Sequence, residues 1–350
     1  MDQSKLERFV GQVLGDLGGA FGIGLVRIGA ELGIYDRIAA SGPVTSTELA
    51  RLTGLNERYL REWLAYHAAS NYLAYNPEDE TFRLEPEQAA VFADRESPCY
   101  LVPAFDAAAG YLSNQDKIGK AFQTGGGVAW ADTAPCLFCA IAGFFRPSYK
   151  ANLVEQWLPS LNGVVEMLQR GAKVADVGCG HGHSTILMAK AFPNSEFIGF
   201  DFHEPSISEA SAHARNHGLH NIRFETASAK AFPGADYDLV TFFDCLHDMG
   251  DPKGAAAHVR KALKPDGAWM IVEPRAGDRL EDNLNPVGRV YYAASTQLCV
   301  PTSLAQEEGA ALGAQAGEAR LREVVLAGGF GTCQRATETP FNIVLEARPN

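Results

Sequence analysis

Three stretches of the chain concentrate residues that can do chemistry. VADVGCGHGHS (residues 174–184) packs three glycines, a cysteine and two histidines into one turn. Such a turn is open to three readings: a metal site, a dinucleotide loop or a cradle for another cofactor. YDLVTFFDCLHDMGDP (residues 237–252) ends an apolar run on Asp244, Cys245 and His247. A histidine, with an unperturbed pKa of about 6.5, can take a proton from a hydroxyl nucleophile near neutral pH. NPVGRVYYAASTQLCVPTSLAQ (residues 285–306) adds Arg289, Tyr291, Tyr292, Ser295, Thr296 and Cys299. At i, i+3 and i+4, Tyr292, Ser295 and Thr296 fall on one face of a helix.

The elements around these stretches decide what they can hold. KVAD reads as a strand and STILMAKAF as a helix, so Gly178, Gly180 and Gly182 lie where a strand hands over to its helix. That is the usual ligand position in parallel sheets, and glycine there lets backbone N–H groups approach a ligand. KVADVG, EFIGFD, IRFET, DYDLVTFF and GAWMIVE are five short β-rich runs, separated by STILMAKAF, SISEASAHARNHG and PKGAAAHVRKALK. Alternation at this spacing predicts a parallel, doubly wound α/β sheet. The tail adds a helix, EARLREVVLAGGF, and one more strand, FNIVLEAR.

Upstream, residues 5–40 carry apolar positions at helical spacing (Phe9, Val13, Leu17, Phe21, Leu25, Ile28, Leu32), more than a lone surface helix needs. Burial under the body of the protein or against a second subunit would account for them. Thr45 and Glu48 have capping-box spacing, Gly54 breaks the helix they start, and Asn56 can cap the next. NYLAYNPEDETFRLEP then reads as two short strands about an Asn-Pro turn, so residues 40–90 predict a winged helix. From residue 98 to 165, aromatic residues including Tyr149 surround a TGGG stretch (Thr124 to Gly127), which suggests helices and loops over a cleft. Three parts are expected: 1–97 helical and winged-helix, 98–165 a helical linker and cover, 166–350 the ligand-binding domain.

The dinucleotide fingerprint requires its third glycine three residues after the second. Here that position is His183, Gly182 comes one residue early, and Asp176 stands two residues before the first glycine. This D-x-G-x-G-x-G pattern resembles the first motif of class I S-adenosylmethionine-dependent methyltransferases. Asp201 ends IGFDF 19 residues past Gly182, Phe202 follows it, and ALKPDGAWMIVEP is similar to the family's helix–turn–fifth-strand segment. The resemblance implies a Rossmann-like sheet of seven strands, joined to a mainly α-helical winged-helix domain. It implies S-adenosylmethionine as the donor, held by Asp176, Gly178, Gly180, Gly182, Asp201, Phe202, Ser228, Ala229, Asp244 and Cys245. Asp201 would accept the ribose hydroxyls, Phe202 would cover the adenine, and Asp244 would receive the donor's amino group. Many members carry an acidic residue toward the adenine amino group, where this chain reads ETASAKAF, which leaves Ser228 and the backbone of Ala229 for that contact.

LHDMGDP resembles the LHDW-x-D segment of phenolic and polyketide O-methyltransferases, with methionine in place of tryptophan. The resemblance implies that His247 is the general base, oriented by Asp248 or Asp251. It also implies that residues 285–306 line the acceptor pocket, so that Arg289, Tyr292, Ser295 and Thr296, with Tyr149, would touch the acceptor. Bacterial and plant O-methyltransferases join such an N-terminal domain to the same fold, which implies a homodimer through it.

Competing readings are weighed against charge and spacing. The formal charge is −12, from 30 basic and 42 acidic residues, and residues 1–96 alone sum to −6. NERYLREWLAYHAAS, the candidate recognition helix, sets Arg58 and Arg61 against Glu57 and Glu62 and has no lysine. DNA affinity rests on neutralising phosphates, so a transcriptional regulator with a ligand-sensing methyltransferase fold is disfavoured, and no nucleic-acid partner is expected. The acidic surface and apolar stretches shorter than a membrane span predict no membrane partner, and no N-terminal run reads as a signal peptide. Seven cysteines, an odd number, point to reduced thiols in a cytoplasm. Cys179, His181 and His183 alternate on a turn that would send them in different directions. His213, His217 and His220 read as a solvated face, and Cys136 and Cys139 as buried structural cysteines. No metal is therefore expected. The acceptor is expected to be a small molecule. A hydroxyl acceptor needs the base, whereas a thiol or thioether acceptor, the alternative, would need little or none.

Overall fold

The first helix, α1 (Gln3–Glu31), starts where the Asp2 carboxylate accepts the N–H groups of Ser4 and Lys5. In the computed structural model, which describes residues 1–350, the chain forms two compact units, one of residues 1–110 with 143–147 and one of residues 111–142 with 148–350. In the first unit, α1 is followed by α2 (Ile34–Ser41), α3 (Ser46–Thr53), α4 (Glu57–Ala69), the hairpin β1 (Ala74–Asn76) and β2 (Thr81–Arg83), and α5 (Pro86–Phe92). The expected punctuation is present: Thr45 and Glu48 close a capping box, Gly54 ends α3 in the left-handed region, and Asn56 caps α4. Val26, Ile38, Leu49, Leu60, Leu64 and Trp63 form the core with Tyr35 and Phe92. Gly29 lets α1 into it, because a Cβ there would stand 2.5 Å from the Trp63 ring.

Only the end of α1 is buried. Phe9, Leu14, Leu17 and Phe21 are exposed. By length and composition α1 is also long and apolar enough to cross a bilayer, with a mean hydropathy of 1.5 over 18 residues. That corrects the expectation that every apolar stretch falls short of a span. Glycines and few charges separate its apolar positions, so no short run stands out although the whole helix is apolar. On α4, Arg58 pairs with Glu62 at 2.7 Å and Arg61 with Glu57 at 2.8 Å, so each arginine faces a carboxylate one turn away.

Then come α6 (Val102–Ser113), α7 (Gln115–Thr124), α8 (Cys136–Asn152) and α9 (Val164–Arg170). The second unit continues with β3 (Lys173–Val177), α10 (His183–Ala191), β4 (Glu196–Asp201), α11 (Glu204–Asn216), β5 (Ile222–Thr226), β6 (Tyr237–Phe243), α12 (Pro252–Ala262) and β7 (Leu263–Pro274). It ends with α13 (Pro286–Ala294), α14 (Val300–Leu304), α15 (Glu318–Ala327), β8 (Thr332–Glu338) and β9 (Asn342–Arg348). The seven strands pair in the order β5-β4-β3-β6-β7-β9-β8. Strands β3 to β7 are parallel, while β9 runs antiparallel between β7 and β8.

The α/β doubly wound class is as expected, and the sequence runs locate six of the seven strands. β8 escaped them because TCQRATE is mostly polar and exposed at the sheet edge, with Cys333 its one fully buried side chain. The order reverses between β3 and β6. At such a switch point the two connections leave in opposite directions and open a crevice at the carboxyl ends of the strands. Both the glycine turn and the Asp244–His247 stretch emerge there.

Candidate active site

The glycine turn is tied down from three sides. Gly178 and Cys179 donate their N–H groups to the Phe200 carbonyl of β4, at 2.7 and 3.0 Å. Gly178, at φ +74°, would bring a Cβ to 2.6 Å from the Cys245 sulfur, and Gly182, at φ +75°, would bring one to 2.5 Å from the Phe224 ring. At both positions only glycine serves. Nothing lies within 4 Å of a Cβ on Gly180, so the middle of the turn presents bare backbone.

Asp176 supports the turn from beneath. It is buried, and its two oxygens accept hydroxyl hydrogen bonds from Ser184 (2.7 Å), Thr185 (2.6 Å) and Thr241 (2.9 Å). Burial raises its pKa to about 6 against the opposing effect of these hydroxyls. Its carboxylate is thus turned into the protein, joining β3 to α10 and β6, a positioning geometry rather than the ligand contact expected for it.

Asp201 ends β4 with Oδ2 accepting the Gly180 N–H and Oδ1 the His203 N–H, both at 2.9 Å. Burial raises its pKa, and these two hydrogen bonds oppose the rise. Each oxygen keeps a second lone pair. Phe202 is exposed beside it. After β5, the Ala227 N–H bonds the Asp201 carbonyl at 2.9 Å, bringing the exposed Ser228 and half-buried Ala229 to the same edge.

Across the switch point, Asp244 is buried at φ +49°, with its N–H on the Val272 carbonyl. Tyr149 donates its hydroxyl to Oδ2 and Asn342 its amide to Oδ1, each at 2.8 Å. Burial, reinforced by the Glu273 charge, pushes the Asp244 pKa up to about 8. The Tyr149 hydroxyl expected on the acceptor is therefore committed to Asp244. Cys245 points its sulfur at the Val177 carbonyl, 3.4 Å away, and wedges behind Gly178. It props the turn expected to hold the donor.

His247 sits on a short helical turn (Leu246–Asp248) and is 4% exposed. Its Nδ1 meets Glu273 Oε2 at 2.5 Å, while the other Glu273 oxygen accepts the Leu246 N–H at 2.9 Å. Its Nε2 lies 3.1 Å from Asp248 Oδ1. Burial acts to lower the histidine pKa, but the charges of Asp248 and Glu273 outweigh it and hold the value well above 6.5. Of the two residues expected to orient the ring, Asp248 lies against it, at Nε2. Asp251 instead caps α12 through the Gly254 N–H and pairs with Lys230. Glu273 was missed; its only trace is the acidic residue closing the apolar run GAWMIVE.

The stretch after α13 departs from its expected face. Residues Ser295–Cys299 form a π turn, which inserts a residue into the helical register. Ser295 is buried, accepting the Ala314 N–H at 3.0 Å, while Thr296 is exposed and bonds the Tyr292 carbonyl at 2.8 Å. Tyr292 is half-buried, Arg289 exposed, and the same turn carries Cys299 inward beside His247 and Asp248.

Two side expectations are corrected as well. His181 and His183 do not diverge: their rings lie 6.3 and 5.5 Å from that of His213. Cys136 and Cys139 are exposed, because the first turn of α8 buries Leu137 and Ala140 and turns the cysteines outward.

Comparison with known proteins fits this geometry. Residues 168–317 match the family described as "Methyltransferase domain". This part of the chain is a methyltransferase domain. Residues 20–94 match the "Rv2258c-like winged HTH domain". A "Ubiquinone biosynthesis O-methyltransferase" of Leptothrix cholodnii is 29% identical over 132 residues, covering 37% of this chain and 53% of its own. The chain spans about half the length of the first curated relatives it matches. Among solved structures, the "Mitomycin 7-O-methyltransferase MmcR" superposes with a TM-score of 0.70 at 20% identity, over 99% of this chain and 98% of that one. Human N-acetylserotonin methyltransferase in complex with SAM gives 0.70 at 18% identity, over 99% and 98%. At these identities the likeness establishes the fold.

Replacing Asp176 with alanine strands three hydroxyls in the methyltransferase domain, at about 1–3 kcal/mol for a buried unsatisfied group. We expect Asp176→Ala to lower stability by about 3 kcal/mol or more in urea denaturation, with Asp176→Asn less affected. An unchanged midpoint would refute the positioning role.

Proposed function

We propose that the chain transfers a methyl group from S-adenosylmethionine to a hydroxyl of a small molecule, with His247 taking the hydroxyl proton. The observation that carries this reading is the convergence, at one switch point, of a bare glycine turn beside Asp201 and a histidine held between two carboxylates. When bound, S-adenosylmethionine supplies an electrophilic sulfonium methyl. The free lone pairs of Asp201 suit its ribose hydroxyls, and the open backbone at Gly180 admits its close approach. Phe202, Ser228 and Ala229 are assigned to the adenine. Asp176, Gly178, Gly182 and Cys245 hold the turn in shape. Asp244, steadied by Tyr149 and Asn342, is assigned to the donor's amino end.

His247 acts on the acceptor. Glu273 on Nδ1 orients the ring; Nε2, 3.1 Å from Asp248 Oδ1, is the nitrogen that turns from that carboxylate to the acceptor hydroxyl, and Asp248 offsets the imidazolium charge that forms. The transfer itself is a displacement, so alignment of the two reactants supplies much of the rate. Arg289, Tyr292 and Thr296 are assigned to the acceptor; Ser295 is committed to the backbone of Ala314. Residues 1–97 are assigned to dimerisation, 98–165 to the linker and 166–350 to catalysis. The exposed apolar positions of α1 support a homodimer, and the free cysteines support a reducing cytoplasm.

Calorimetry tests the donor assignment. The wild type should bind S-adenosylmethionine, Asp201→Ala should weaken binding at least tenfold, and His247→Ala should leave it intact while abolishing methyl transfer to hydroxyl acceptors. Absence of wild-type binding would overturn the proposal.

The pH profile tests the base. Only neutral imidazole accepts a proton, and two carboxylates favour the charged ring, so transfer should rise with pH through an apparent pKa above 6.5. Asp248→Asn removes one negative charge and should move that limb to lower pH; a profile flat from pH 6 to 9 would remove the base.

Sedimentation at micromolar concentration should give a dimer that Phe9→Ser with Leu14→Ser converts to monomer. A monomeric wild type would refute this contact, and recovery of the chain only with membranes would assign α1 to lipid instead.

A further inference from the structure

Cys299 has no part in the reading above, yet the π turn of residues 295–299 carries its buried thiol to His247 and Asp248. The sulfur, a histidine ring nitrogen and an Asp248 oxygen all lie within 4.8 Å of one another. We propose that His247, Asp248 and Cys299 form a binding site for Zn2+.

The donor set is the first reason. Zinc takes thiolate at about 2.3 Å, imidazole at about 2.0–2.1 Å and carboxylate at about 2.0–2.2 Å, in tetrahedral geometry. Those bond lengths set neighbouring ligand atoms about 3.3–3.7 Å apart. Nε2 and Asp248 Oδ1 stand at 3.1 Å already, so modest side-chain movement closes the set. One imidazole, one thiolate and one carboxylate favour zinc over magnesium or calcium, which seek oxygen ligands.

The surroundings of the ligands are the second reason, independent of the first. A metal-binding histidine nearly always gives its other ring nitrogen to a carboxylate or carbonyl, which fixes the tautomer. Here Glu273 holds Nδ1 at 2.5 Å and is itself anchored by the Leu246 N–H at 2.9 Å, so Nε2 is the nitrogen turned to the cluster. The Nε2–Asp248 Oδ1 contact of 3.1 Å is an ion pair without hydrogen-bond geometry, so this buried oxygen can turn to a cation. His247 and Cys299 are 4% and 6% exposed, which keeps water from competing for the ion.

Three protein ligands leave one tetrahedral position, the arrangement of zinc sites that bind a further molecule rather than purely structural ones. Resting on the functional reading above, zinc at this site takes the Nε2 lone pair that would accept the hydroxyl proton. Bound zinc then stops methyl transfer to hydroxyls, and a chelator restores it.

The experiment is a titration of the full chain with Co2+ and Zn2+ in a Cys136→Ser, Cys139→Ser background, which removes the exposed pair that also attracts soft metals. One Co2+ should bind, with tetrahedral visible bands and a thiolate-to-cobalt charge-transfer band in the near ultraviolet, and Zn2+ should displace it. Cys299→Ser should abolish the charge-transfer band, and Asp248→Asn and Glu273→Gln should each weaken Zn2+ binding about 10- to 100-fold. Circular dichroism and urea midpoints identify any variant that fails to fold; for Cys299→Ser, Cys299→Ala serves as the second replacement. Absence of the charge-transfer band in the background protein, or its persistence in Cys299→Ser, overturns the site. No Co2+ signature with donor binding intact refutes zinc alone, whereas an intact Co2+ signature without donor binding refutes methyl transfer alone.

Discussion

The carboxylate of Asp176 is the point from which the methyltransferase domain is built. A buried acidic group is tolerated only when its oxygens are satisfied, and three hydroxyls from α10 and β6 satisfy it. Those bonds make the first turn of α10, the end of β3 and the middle of β6 one object. The glycine turn is strung between these anchors and β4, where the Phe200 carbonyl and Asp201 carboxylate receive its N–H groups. Without the carboxylate the turn would have a length of chain but no fixed path.

A second pin works across the sheet. Glu273, at the end of β7, bonds the backbone before His247 and the ring itself, so histidine position and orientation come from one side chain. Asp244 is held in the same way by Tyr149 and by Asn342 of β9. The antiparallel strand added beside β7 therefore reaches the chemistry through Asn342. Strands that seem to extend the sheet only for stability also position groups at its centre.

What was legible in the sequence follows a physical divide. Features set by local geometry could be read: the capping box at Thr45, the helix stop at Gly54, the glycine spacing after β3 and the carboxylate ending β4. Each depends on a few consecutive residues. Partnerships set by tertiary packing could not. Asn342 lies 98 residues from Asp244, and Glu273 lies 26 from His247. Nothing in the spelling of either segment names its partner. β8 was hidden because an edge strand needs only one buried face, and its residues satisfy polar surroundings instead. The face assigned to Tyr292, Ser295 and Thr296 straddles the edge of the buried side: Ser295 turns in to the Ala314 backbone while Thr296, one residue on, faces out.

The π turn gives the segment that carries Cys299 to His247 a length variable separate from side-chain identity. A π turn holds one residue beyond the α-helical count. Deleting one residue from the middle of 295–299 would let the helix close with regular hydrogen bonds, and because the turn holds the extra residue within itself, the segment downstream would keep its phase. Ser295 and Cys299 would keep their places against Ala314 and His247, and the side chains between them would be re-aimed. A single-residue deletion here would therefore change the surface between Ser295 and Cys299 while the rest of the segment stays in register, a change that no point substitution makes.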